Sequence, residues 1–171
     1  MITLPRHFAF LGILFFLSPQ LHSQTELIPN DKFSDGGASW KLSTAADAVA
    51  NMSIEEVDKE PTLLIDVENT SDKPVDVRVQ RLFGELTADK NYRVSFQAKA
   101  QEAVSIIPYI YPENQGARVL WRTEIRLEPD WKEFSFEFKG RDSSNDCVLG
   151  FSHLGKLTNK YWFKDVVLTS D

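Results

Sequence analysis

The sequence predicts an all-β protein, a jelly-roll β-sandwich of two antiparallel sheets. Three observations predict it. Apolar residues recur at every second position in one short segment after another. Each such segment is rich in β-branched or aromatic residues and bounded by turn formers. No segment carries a convincing helical period, and even "TAADAVA" (44–50), the best helix candidate, is short.

The first residues stand apart from that pattern. Arg6 and His7 precede the apolar run "FAFLGILFFL" (8–17), which is too short to span a bilayer as a helix. "SPQLHS" breaks the run, and Leu21 and Ser23 suit the positions three and one before a cleavage point. The expectation is a signal peptide over residues 1–23, a single domain over 24–171, and a secreted or periplasmic protein with no membrane span once the signal is cut.

Nine segments then read as strands: 52–57, 62–67, 76–82, 91–100, 104–111, 120–127, 131–139, 147–151 and 161–168. Between them lie turn clusters such as "TSDKP" (70–74), "TADKN" (87–91), "PENQG" (112–116) and "RDSSND" (141–146). Evenly spaced short strands of this kind build sandwiches. No internal repeat or interdomain linker interrupts them.

Composition narrows the function classes. The formal net charge is −6, a poor basis for binding nucleic acid or an anionic membrane. Cys147 is the single cysteine, so no intrachain disulfide forms, and its apolar surroundings "CVLGF" predict a buried, inert thiol. His153 is the one histidine after residue 23, which argues against a multi-histidine zinc site and weakens Ser-His-Asp or Cys-His chemistry.

Alternation also sorts side chains by face. "NYRVSFQAKA" and "WKEFSFEFK" each pair an apolar face (Tyr92, Val94, Phe96, Ala98; Phe134, Phe136, Phe138) with a solvated one. "DVRVQRL" buries Val77 and Val79 and turns Arg78 and Gln80 outward. "SIIPYIY" buries Ile106 and Ile110 and turns Tyr109 and Tyr111 outward. "LWRTEIRL" buries Trp121, Thr123, Ile125 and Leu127 and turns Arg122, Glu124 and Arg126 outward. If consecutive strands alternate between the sheets, these last three share one sheet and one polar, tyrosine-bearing face. Trp40, Trp121, Trp131 and Trp162 are expected in the core, with Trp121 changing faces if its register slips by one.

Several blocks together resemble a known family. "LIPNDKFSDGGASWKLS" (27–43) is similar to the opening of carbohydrate-binding modules of the family 4, 9 and 22 type. "VDVRVQRL", "YRVSFQAKA", "DWKEFSFEFKG" and "CVLGFSHLGKLTNKYWFKDVVL" follow in the family's order, so the resemblance spans roughly residues 26–169. It implies a jelly roll, related to galactose-binding-like folds, that binds a polysaccharide or oligosaccharide on its concave sheet without catalysis. The residues it points to are Arg78, Gln80, Tyr109 and Tyr111, with Arg122, Glu124 and Arg126 less directly. Tyrosine offers an apolar body and a polar tip to a sugar ring, and planar side chains fix its hydroxyls. An exposed Arg or Glu on a sheet also has a plainer role, solvated or paired across strands.

Two departures from the family pattern carry expectations of their own. Many members hold a structural calcium ion through an Asp two residues before a Val of the last strand. Here that position is Lys164, while Asp165 points the other way; an ammonium there is able to replace the ion and pair with Asp31 or Asp35, so bound calcium and a lysine in its place both stay open. No other cofactor is implied. "FSHLG" (151–155) is one residue longer than the usual block. A β-bulge is expected to absorb the excess, leaving open whether Ser152 or His153 faces the cleft. The resemblance also implies separately encoded glycoside hydrolases as partners.

Two other readings stand beside sugar binding. "RTEIR" (122–126) resembles the R-[ST]-E-[LV]-R strand of family 7 polysaccharide lyases acting on alginate, but the companion Gln-Ile-His block is missing. A non-glycan interaction or scaffold domain is the third. Tyr109 and Tyr111 open in a groove favour sugar, and both buried under a loop favour scaffolding.

Overall fold

The structure, a computed structural model, describes residues 24–29, 32–113 and 118–171. The expected signal peptide, Asp31 and most of the expected turn at 112–116 lie outside those residues. Twelve strands make up the described fold: β1 (Thr25–Ile28), β2 (Trp40–Thr44), β3 (Val49–Val57), β4 (Glu60–Asn69), β5 (Val77–Leu86), β6 (Asn91–Ala100), β7 (Val104–Pro112), β8 (Trp121–Arg122), β9 (Ile125–Leu127), β10 (Lys132–Lys139), β11 (Ser144–Ser152) and β12 (Asn159–Ser170). Two short 3-10 turns, Pro74–Asp76 and Leu154–Lys156, complete it.

The strands form two antiparallel six-stranded sheets. The back sheet runs β10-β6-β12-β4-β3, with β1 also on β12. The front sheet runs β2-β5-β11-β7-β8, with β9 also on β7. From β4 to β7 the chain passes from sheet to sheet, but β8 and β9 follow β7 and pair with it directly; β5, β7 and the β8–β9 segment share one sheet without strict alternation. Between the sheets lies an apolar core that includes Ile65, Val79, Phe96, Ile110, Leu149, Phe163 and Leu168. An aromatic column crosses it: Trp40 stacks on Phe151 (6.0 Å between centroids), and Phe151 on Phe163 (4.3 Å).

Trp40 enters that column from a tight turn. The Asp35 carboxylate accepts from the Gly37 and Ser39 amides (2.8 and 2.9 Å) and from the Ser39 hydroxyl. The Ser39 hydroxyl in particular holds the Asp35 pKa below its ordinary value.

Several expectations are corrected. Residues 44–50, the best helix candidate in a sequence without a convincing helical period, form no helix, in keeping with that reading; a turn with Ala46 at φ 53° joins β2 to β3. Only Trp40 of the four tryptophans lies in the core. Trp162 falls between core residues Tyr161 and Phe163, so alternation sends it to the outer face of the back sheet. There it and Trp131 flank Lys99, whose Nζ lies 5.1 and 4.9 Å from their ring centroids.

Lys164 shares that outer face. It pairs with Glu60 rather than with Asp35, and its Nζ lies 4.8 Å from the Trp131 ring. The hydrogen bond from Lys164 holds the Glu60 pKa below the usual range. Asp165 does not point away. The β12–β6 register shifts between Lys164 and Val167, and Asp165 accepts from Gln97 at 3.1 Å on the outer face. Among the described residues no three His, Cys, Asp or Glu side chains cluster together.

No bulge marks "FSHLG": the pairing of β11 stays in register through Phe151 and Ser152. His153, at φ 65°, ends β11 and opens the 3-10 turn Leu154–Lys156.

Candidate functional site

The open face of the front sheet can be read row by row, because directly paired residues in a sheet point the same way. One row runs Lys41, Gln80, Gly150, Tyr109, Arg122, from β2 to β8. A neighbouring row holds Leu82, Val148 and Tyr111. On the other side Arg78 faces Ser43, and Ser152 faces Ile107. The row residues arrive here because Val77, Val79, Ile110, Leu149 and Phe151 claim the alternate positions for the core.

Tyr109 is the centre of this face and not a free platform. It is 7% exposed, and its ring lies over Gly150, the one position in the row without a side chain. Tyr111 stacks against it with centroids 5.3 Å apart and planes 28° from parallel. Both phenols donate to Gln80 Oε1, at 3.3 Å from Tyr109 and 2.9 Å from Tyr111. Gln80 is itself 6% exposed. Its Nε2 then has no protein partner among the described residues and remains a donor for a ligand. Burial above all, with the neighbouring Tyr111, pushes the Tyr109 phenol far above its ordinary pKa, while Arg78 acts weakly the other way. Tyr109 is therefore a neutral donor at any physiological pH.

A groove of about 330 Å³ opens above this pair, lined by Val75, Arg78, Tyr109, Tyr111, Glu113, Val119 and Ser152. Val75 and Val119 are 44% and 45% exposed, and Leu82, one row away, is 53% exposed. Of the four large hydrophobics most open to solvent among the described residues, three thus surround one face. An apolar patch rimmed by polar groups marks a binding surface.

The seven residues singled out from sequence separate here. Arg78, Tyr109 and Tyr111 line the groove, with Gln80 beneath the tyrosines. Arg122 is directly opposite Tyr109. Glu124 lies further along the edge, close enough to act on His153 electrostatically. Arg126 is opposite Ser105 and bound to Glu128 at 2.9 Å, clear of the groove. Ser152 settles on the groove side, its hydroxyl donating to Ile107 O at 3.2 Å. Glu113, Val75 and Val119 escape a reading by alternation because they lie in turns beyond strand ends. Gly150 was legible only as a break in an apolar run.

A family model described as a carbohydrate binding domain matches residues 25–153. Solved structures share the fold. A family 4 carbohydrate-binding module is 19% identical, with a TM-score of 0.67 over 86% of this chain and 95% of its own. The N-terminal cellulose-binding domain of Cellulomonas fimi β-1,4-glucanase C is 15% identical, with a TM-score of 0.64 over 84% and 97%. The family 11 module of Clostridium thermocellum, solved with a β-1,3-1,4-mixed-linked tetrasaccharide, is 16% identical, with a TM-score of 0.57 over 85% and 94%. No curated protein matches the chain.

Proposed function

The chain belongs to the carbohydrate-binding domain family and is a binding module, not an enzyme, and from that premise we propose where its glycan lies. The sugar chain occupies the front-sheet groove, with Tyr111 as the stacking surface and Arg78, the Gln80 amide, Glu113 and Ser152 as polar contacts. Arg122 reaches the same chain from the β8 edge. The observation that carries this reading is the tyrosine pair, stacked over Gly150 and tied to Gln80 Oε1. Such a floor is rigid before any ligand arrives, which limits the ordering cost of binding. A sugar ring has an apolar face for Tyr111 and hydroxyls for the guanidinium and amide.

The ligand class is a β-linked glycan. The mixed-linkage tetrasaccharide held by the Clostridium thermocellum module supports this by likeness of fold. The N-terminal segment 1–23 supports export, to the periplasm or beyond, where such polymers are met and where separately encoded hydrolases would act on them.

Affinity electrophoresis in gels cast with cellulose derivatives, xylan, mixed-linkage glucan and mannan tests the proposal. Wild-type protein is expected to be retarded by at least one of them. Tyr111→Ala and Arg78→Ala are each expected to weaken binding at least about tenfold, or about 1.4 kcal/mol. The exposed Arg78→Ala should do so without lowering Tm, whereas Tyr111→Ala should also lower Tm slightly by losing its stack on Tyr109 and its bond to Gln80. Unchanged binding in both variants would place the sugar elsewhere.

A further inference from the structure

We propose that the glycan path continues past the front sheet, over its β8 edge, into a lateral groove where Trp121, Arg122 and Arg141 hold the next part of the same chain. This rests on the reading of the Tyr111 groove as a glycan site. The lateral groove measures about 800 Å³ and lies where β8, the edge of the front sheet, meets β10, the edge of the back sheet.

Its floor is aromatic. Trp121 is paired with Ile110, so its ring points to the core side of the sheet, but at a sheet edge that side is only half covered. The ring stacks on Phe138 (5.2 Å, 19°) and leans on Phe136 (5.7 Å), so it is held from behind. Phe138 lines the groove as well.

Its walls carry unused donors. Arg122 and Arg141 line the groove and have no hydrogen-bond or ion-pair partner among the described residues. Nearby charges are already engaged: Arg118 binds Asp142, and Lys139 binds Asp89 at 2.9 Å. Two open guanidinium forks beside an aromatic face make a second sugar subsite by the same chemistry as the first.

Continuity identifies the occupant. Val119 lines both grooves. Arg122 lines the lateral groove and stands directly opposite Tyr109 of the sheet face. A linear glycan leaving Tyr111 therefore meets Val119 and Arg122 before it reaches Trp121.

Titration calorimetry with cello-, xylo-, manno- and mixed-linkage gluco-oligosaccharides, from disaccharide to hexasaccharide, tests the path. Affinity is expected to climb with chain length. Arg141→Ala, an exposed change that leaves the fold alone, is expected to lower affinity for the longest oligosaccharides about tenfold and to leave the shortest bound one unchanged. Tyr111→Ala is expected to weaken both. A length series that levels off at the shortest bound member overturns the lateral subsite and leaves the Tyr111 groove standing. So does wild-type affinity of Arg141→Ala for the hexasaccharide, where Tyr111→Ala still loses binding. No binding of any series by the wild-type protein overturns both readings together.

Discussion

Gly150 is where the front face is made or lost. A Cβ built there would lie 2.5 Å from the Tyr109 hydroxyl oxygen, 2.6 Å from its ζ carbon and 2.8 Å from the Val79 carbonyl oxygen. Real side chains do not tolerate such contacts, so the tyrosine must lift and the strands must part. Gly150→Ala is expected to cost about 1–3 kcal/mol in urea unfolding, the usual range for overpacking. It should weaken glycan binding as well, because a lifted Tyr109 breaks the shared bonds to Gln80. His153 has a pH signature. Burial first, then Lys156 and Arg122, lower its pKa below 6.5, with Glu124 opposing them. Between that lowered value and pH 6.5 the unfolded chain binds a proton that the folded one does not. Stability therefore falls as pH drops through 6.5 and is untouched by this group above it. His153→Asn keeps a residue tolerant of φ 65° and removes the titration. Urea midpoints measured from neutral pH to about pH 5 should be flatter in that variant.

At the scale of elements, the β7 edge shows how one residue divides a strand. The pairs Tyr109–Arg122 and Ile106–Ile125 belong to one continuous register, yet β8 and β9 are separate. Between them Thr123 N donates to Pro108 O at 3.2 Å, and Pro108 has no N–H to return. The proline is tolerated because its missing donor faces the edge strand instead of β11. Pro108→Val would supply the reciprocal bond. The gain of about 0.5–1.5 kcal/mol is largely offset by the greater freedom of the unfolded chain, so Tm should hardly move. Slower amide hydrogen exchange at Thr123 and Ile125 is the expected sign that one strand has formed. The charged row 122–126 thus reads as uniform in sequence but is not so in the fold. Its alternation placed Arg122, Glu124 and Arg126 on the exposed side correctly. The interruption came from the neighbouring strand, and the ion pair with Glu128 takes Arg126 out of the groove's chemistry.

At the scale of the whole molecule, two kinds of connection build the front face. From β4 to β7 successive strands change sheets, which brings β5 and β7 to one sheet, with β11 between them, whereas β8 follows β7 and pairs with it directly, so Arg78, Tyr109 and Arg122 come to share one face. The core is apolar and aromatic, and Cys147 lies inside it, its thiol pKa raised mainly by burial. Tyr161 is another buried polar group satisfied locally. Its hydroxyl donates to Leu154 O at 2.7 Å, and burial pushes its pKa up to about 12. That bond ties the last strand to the turn carrying His153, and so the back sheet to the end of β11.

What the sequence determined by itself is the class of fold, nearly every strand from 49 onward, and the side to which most strand residues point. Period-two alternation is a local property of the backbone, so one chain is enough to read it. The blocks of family resemblance rest on the same positions. Tertiary structure alone decided the rest. That Tyr109 lies flat and Tyr111 is the open ring depends on Gly150 across one strand pair and Gln80 across two. That Lys99 lies against both Trp131 and Trp162, and Lys164 against Trp131, depends on which strands are paired on the outer face. Lys164 faces Glu60 because a bulge and a neighbouring strand set its reach. Side-chain facing is a matter of one strand, whereas which side chains meet is set by long-range pairing, and that is where the binding face is made.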